Sequence, residues 1–223
     1  MNELSPFIGV GLYTPLDAAR LAEVSVRRVR GWVQGYRHDG VPAVIERQLP
    51  DVDGEAGLTY RDLIEVRFIQ HFLRAGVSWV HIRQAAREAH GELLEGVRHL
   101  RFRTDRTTIL ADRLAEDGDR VARELVSRQY VLLDVLRESF LEEFDLEGED
   151  LLRAWHPRSG QPNVRVDPER AFGRPIVEPG IPTRTLADAL MAEGDDAERV
   201  ARLYGTTPGL VREAAAFELT LTA

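Results

Sequence analysis

The chain has 223 residues, a formal net charge of −8 and 43% hydrophobic residues, which suits two or three small globular units. It has no cysteine, which excludes disulfides and thiolate metal sites and suits a reducing compartment, and no apolar run nears the ~20 residues of a membrane span. Residues 1–104 carry 14 Arg against 13 acids and residues 105–223 carry 15 Arg against 24, so any field that attracts phosphate belongs to the N-terminal part.

The N-terminus, with Glu3 and little apolar length, does not read as a secretion signal. Thr14 is a good N-cap and Pro15 a good first helical residue, and Leu16, Ala19 and Ala22 follow at helical spacing. Ser25 can cap a second helix from Val26, with Val29 and Trp32 facing inward. The two form a helix-turn-helix pattern, with apolar residues at 18, 22, 24, 29 and 32. Glu23 stands where the turn usually has glycine, a strain of roughly 1 kcal/mol. If Val29 and Trp32 point in, Arg27, Arg28 and Arg30 point outward near the start of the second helix, where such a helix meets base edges and phosphates. The stretch from Thr14 to Arg37 has five Arg against Asp17 and Glu23. A small packing unit with a solvated basic face is the plainer alternative.

After Gly35, Gly40 and Pro42, residues 43–49 read as a short strand and 50–57 as a polar turn, together a wing with Arg37 and Arg47 as phosphate contacts. Thr59 and Asp62 make a capping-box variant that opens a helix with Leu63, Val66, Phe72 and Leu73 on its apolar face and Gly76 at its end. Ser78 can cap a further helix to about His90. With Tyr13, Ala19, Val24, Ser25, Arg28 and Trp32 in step, residues 10–90 resemble the MerR-like winged helix-turn-helix. That resemblance implies operator DNA as partner, with Thr14, Ser25, Arg27, Arg28, Arg30, Arg37 and Arg47 as the DNA-binding residues.

From about Leu100 the period becomes that of strands. Leu100 and Phe102 alternate with arginines, residues 107–110 are β-branched and apolar, residues 125–126 and 130–133 can pair, and residues 141–146 and 151–155 flank an acidic turn. The expectation is a mostly antiparallel unit with one short helix near 134–139, although residues 121–136 also fit one long helix. Eight carboxylates between Asp134 and Asp150 read as solvated turn charge; a metal-dependent nuclease built on residues 142–150 is the enzymatic alternative. His81, His90 and His99 lie nine apart, which suits no helix-face metal site, and no catalytic triad order or phosphate-cradling loop is present. No enzyme activity, metal or cofactor is expected.

Residues 164–168 read as a strand, and the glycine- and proline-rich stretch 173–185 as an irregular loop. Three helices follow: residues 186–193, stopped by Gly194; residues 197–204, capped by Asp195 or Asp196 and ended by Gly205; and a third capped by Thr207 with Pro208 first. They repeat the spacing of the first copy but not its charge, since residues 195–218 hold five acids against three Arg, which turns them toward protein. Gly173-Arg-Pro-Ile-Val, the Gly180-Ile-Pro-Thr turn and the trihelical end make residues 164–218 similar to the DUF433 domain, with Glu178-Pro179-Gly180 where many members have Gly-Thr-Arg.

A MerR-like front joined to this back resembles the larger VapB-type antitoxins. That resemblance implies a cytoplasmic homodimer that binds operator DNA, represses its own operon and neutralises a PIN-domain ribonuclease toxin, with Arg174, Arg184 and Arg212 as toxin contacts. A stand-alone MerR-like regulator that senses a small ligand is the rival reading. The expected fold is α+β: residues 1–94 as the winged helix-turn-helix, 95–162 as a β-rich middle unit and 163–223 as the trihelical domain.

Overall fold

The computed structural model describes residues 11–36, 40–52, 54–76, 79, 82, 102–103, 140, 142–147 and 151–222. The architecture is mixed helix and antiparallel sheet, as expected for α+β.

The N-terminal unit starts from a capping box. Thr14 Oγ1 accepts the Asp17 N–H (3.1 Å) while the Asp17 carboxylate accepts the Thr14 N–H (2.9 Å), and this launches α1 (Pro15–Ala22). Ala18, Ala19, Leu21 and Ala22 are buried, so Ala19 and Ala22 of the expected stripe face the core, whereas Leu16 is 44% exposed. Glu23 ends the helix in the left-handed region (φ 54°, ψ 49°). The strained turn is held from three sides: Arg74 (3.1 Å) and Arg158 (3.2 Å) pair with its carboxylate, and Gln70 donates to its carbonyl (3.3 Å). Ser25 then caps α2 (Val26–Gln34). Gly31 leaves room for the Tyr36 ring, which a Cβ there would meet at 2.1 Å and push aside.

Trp32 carries the core of this unit. It is buried, its ring stacks on Trp79 at 5.7 Å, and its carbonyl accepts the N–H groups of Val44 and Ile45. Residues 43–49 therefore do not form the expected strand: Val44 and Ile45 are buried against the end of α2, which leaves no edge for pairing. The hairpin lies further on, in what reads as a turn, with β1 (Asp51–Val52) antiparallel to β2 (Glu55–Ala56). A second capping box, Thr59 with Asp62, starts α3 (Tyr60–Arg74), whose Leu63, Ile64, Val66, Phe68 and Phe72 fill the core. Trp79 and Ile82 are helical; the rest of the helix expected to reach His90 lies outside the described residues.

The sheet has the order β3 (Phe102–Arg103), β5 (Leu151–Trp155), β6 (Arg165–Val166), β7 (Pro175–Val177), β8 (Ile181–Pro182), with β4 (Phe144–Glu147) also paired to β5. The strands expected at 107–110, 125–126 and 130–133 and the helix at 134–139 lie outside the described residues. Trp155 pairs with Val166, so the sheet runs across the boundary expected at 162/163. Phe140, Phe144 and Phe68 form an aromatic cluster that joins α3 to β4. The stretch 173–185 is no irregular loop. It holds the β7–β8 hairpin, closed at a cis Glu178–Pro179 bond, and α4 (Thr183–Ala192) starts three residues earlier than expected. Asp196 caps α5 (Ala197–Tyr204), Gly205 ends it at φ 64°, and α6 (Pro208–Thr222) packs Val211, Ala214 and Phe217 inward.

Candidate nucleic-acid interface and partner surface

The expected DNA-binding residues fall into two groups. Thr14 and Ser25 use their hydroxyls as caps: Thr14 Oγ1 bonds Asp17, and Ser25 Oγ accepts the Arg28 N–H at 3.4 Å. Arg27 and Arg28 are exposed on the first turn of α2, and among the described residues neither makes an ion pair or a side-chain hydrogen bond. That turn also presents the N-terminal end of a helix dipole, so two fixed cations and the partial positive charge of free N–H groups face the same solvent. Such a surface suits phosphate and, in a groove, guanine edges.

Arg30 and Arg47 are held by the hairpin. Arg30 forks onto the Glu55 carboxylate (3.0 and 3.2 Å), with both side chains about half exposed. Arg47, only 19% exposed, pairs with Asp51 at 2.9 Å and donates to the Leu49 carbonyl. Exposed pairs of this kind contribute at most about 1 kcal/mol, so Arg30 can leave Glu55 at small cost. Arg37 lies outside the described residues.

The C-terminal arginines do not converge. Arg184 pairs with Asp188 along α4, and Arg212 pairs with Glu198 across α5 and α6. Arg174 is exposed and, among the described residues, has no ion pair. It lines a cavity of 340 Å³ between α1 and the C-terminal unit, together with Arg20, Arg184, Asp17 and Glu218. The acidic segment has a structural use. Glu143 holds Arg67 in a two-point ion pair and accepts the Trp155 indole N–H (3.0 Å), and Asp145 accepts from His156 (3.1 Å). Among the described residues no group of three or more His, Asp or Glu side chains is arranged to hold a metal.

Sequence reasoning missed Arg158. Its guanidinium, 11% exposed, donates to the carbonyls of Arg20 (3.0 Å) and Leu21 (2.8 Å), reaches Glu23, and lies 5.9 Å from the Phe217 ring. It satisfies the open carbonyl end of α1 from a distant part of the sequence. Burial lowers its pKa, and Glu23 counters that effect. Nothing in the local sequence His156-Pro-Arg-Ser-Gly signals the role, because the partners lie 137 and 138 positions away.

No protein-family model matches the chain. A curated Mycobacterium tuberculosis protein named "Putative antitoxin VapB45" is 30% identical over 236 aligned positions, covering 96% of each chain. The chain belongs to the VapB45 antitoxin family. The X-ray crystal structure of Rv2018 from Mycobacterium tuberculosis is similar to it with a TM-score of 0.67 and 26% identity, over 93% of this chain and 98% of that one. Membership of the VapB45 family makes a toxin–antitoxin role the frame for the surfaces above. Among the described residues no helix is long and apolar enough to cross a membrane.

Proposed function

We propose that this antitoxin is a non-enzymatic, cytoplasmic DNA-binding homodimer that represses its own operon and neutralises a PIN-domain ribonuclease toxin. The N-terminal 94 residues act as a MerR-like winged helix-turn-helix, and the DUF433-like residues 163–223, joined through the middle unit 95–162, face the toxin.

One observation carries the DNA half: Arg27 and Arg28 stand exposed at the capped start of α2, with no ion pair among the described residues. α2 enters the major groove by that end. Arg30 joins them when phosphate outcompetes Glu55, and Thr14, Ser25, Arg37 and Arg47 fix register on the backbone. A two-fold dimer sets two such helices about one DNA turn apart, on a palindromic site. The toxin half rests on Arg174, Arg184 and Arg212, exposed guanidiniums able to meet carboxylates of the partner.

A reporter fused to the chain's own promoter tests the first half. The unmodified protein represses it, and the Arg27→Ala/Arg28→Ala variant, folded to the same extent, does not. Equal repression by the two would sink the assignment.

A further inference from the structure

The cavity between α1 and the C-terminal unit has two features that a packing defect would lack. Two of its three guanidiniums have no ion-pair partner among the described residues. Arg20 and Arg174 make no ion pair or side-chain hydrogen bond among the described residues, whereas the two carboxylates on the wall are already engaged, Asp17 by Thr14 and Glu218 by Thr183. Arg184, the third guanidinium, is paired with Asp188, so Arg20 and Arg174 are the cations of this wall left without an ion pair among the described residues.

Beside it stands an apolar rim under strain. Phe172 occupies the left-handed region (φ 56°, ψ 31°), which costs a phenylalanine about 1 kcal/mol or more, and its ring is 65% exposed, so the strain is not repaid by burial within the chain. The Phe172 carbonyl accepts the Leu12 N–H at 3.3 Å, which brings Leu12, 48% exposed and itself part of the cavity wall, to the same rim. The hairpin base behind it is rigid: Tyr13 Oη donates to the Gly173 carbonyl at 2.7 Å, and a Cβ on Gly173 would lie 2.1 Å from that oxygen. An exposed phenylalanine beside arginines that have no ion pair among the described residues is a composition enriched at protein interfaces.

We infer that this cavity, with its Phe172–Leu12 rim, is the docking site for an acidic segment of the partner toxin: carboxylate side chains against Arg20 and Arg174, an apolar neighbour against Phe172. The inference rests on the antitoxin reading and assigns it a place. Charge complementarity selects the occupant, since a basic or neutral segment would leave both guanidiniums unmatched.

Phe172→Gly gives a clean test, because glycine relieves the backbone strain while it removes the anchor. The full chain is co-expressed with the PIN-domain ribonuclease that the antitoxin reading assigns to it, and the affinity of the purified pair is measured. Phe172→Gly and Arg20→Ala/Arg174→Ala should each weaken binding at least tenfold, with the Tm of Phe172→Gly no lower than that of the unmodified chain. The arginine variant should also bind with a weaker salt dependence. If both variants hold the toxin within about twofold of the unmodified chain, the site is wrong and the antitoxin reading stands. If the unmodified chain holds no toxin, the reading itself fails and the site with it.

Discussion

Single residues carry much of the chemistry here, and Glu65 has a measurable signature. It lies within the buried surroundings of α3, and burial pushes its carboxyl up to about 8, against the partial relief that Arg61 gives at 3.1 Å. The folded-state pKa is raised above the unfolded value, so the folded state holds a proton that the unfolded chain has released. Stability from this group is fully present below about pH 4.5 and is lost as pH rises toward 8. Urea unfolding at a series of pH values should show that decline, and Glu65→Gln should flatten it. The buried Asp62, raised in the same direction by desolvation, will add to the slope that remains. The N-caps at Thr14, Ser25, Thr59 and Asp196 were legible because each satisfies its orphan N–H groups within three residues. Arg158 was not, because its partners come from the other end of the chain.

Among the elements, α2 and the β1–β2 hairpin work as a pair through Arg30 and Glu55. Glu55 places a carboxylate beside the surface proposed to meet phosphate. Glu55→Gln should free Arg30 and remove that repulsion. Titration of a duplex carrying the operator should then show affinity up several-fold and a steeper fall with salt, while stability changes by less than about 1 kcal/mol. Weaker DNA binding by this variant would mean that Glu55 orients Arg30 rather than restrains it. The helices of both trihelical units were readable from periodicity and turn residues. Three strands were readable as well, since β4, β5 and β6 fall on or overlap the stretches expected at 141–146, 151–155 and 164–168; β1 and β2, of two residues each, are too short for a period, and β7–β8 are built from prolines and isoleucines whose spacing reads as loop. The place of the hairpin has the same cause, since strand propensity favours residues 43–49 while Trp32 decides where Val44 and Ile45 go.

For the molecule as a whole, the junction between its halves matters most. The Arg158 guanidinium, the Tyr13–Gly173 hydrogen bond and the Arg67–Glu143 pair tie α1 and α3 to the C-terminal sheet and helices. Arg158→Met should cost about 2–4 kcal/mol in urea unfolding, since it strips two α1 carbonyls of their donors and leaves Glu23 with Arg74 alone. A cost within 0.5 kcal/mol would mean that solvent replaces those contacts freely. The chain's charge asymmetry foretold two differently charged ends but not an arginine-lined cavity at their junction, because Arg20 and Arg174 are 154 positions apart and meet only in the fold.

The exposed pair on the first turn of α2 can be tested most directly by fluorescence anisotropy on the chain's own promoter DNA across a salt series. The unmodified protein should bind with an affinity that falls steeply as salt rises, and Arg27→Ala/Arg28→Ala should bind at least tenfold more weakly, with the log–log salt slope reduced by about two. The same affinity and the same slope in both proteins would contradict the assignment of this face to DNA.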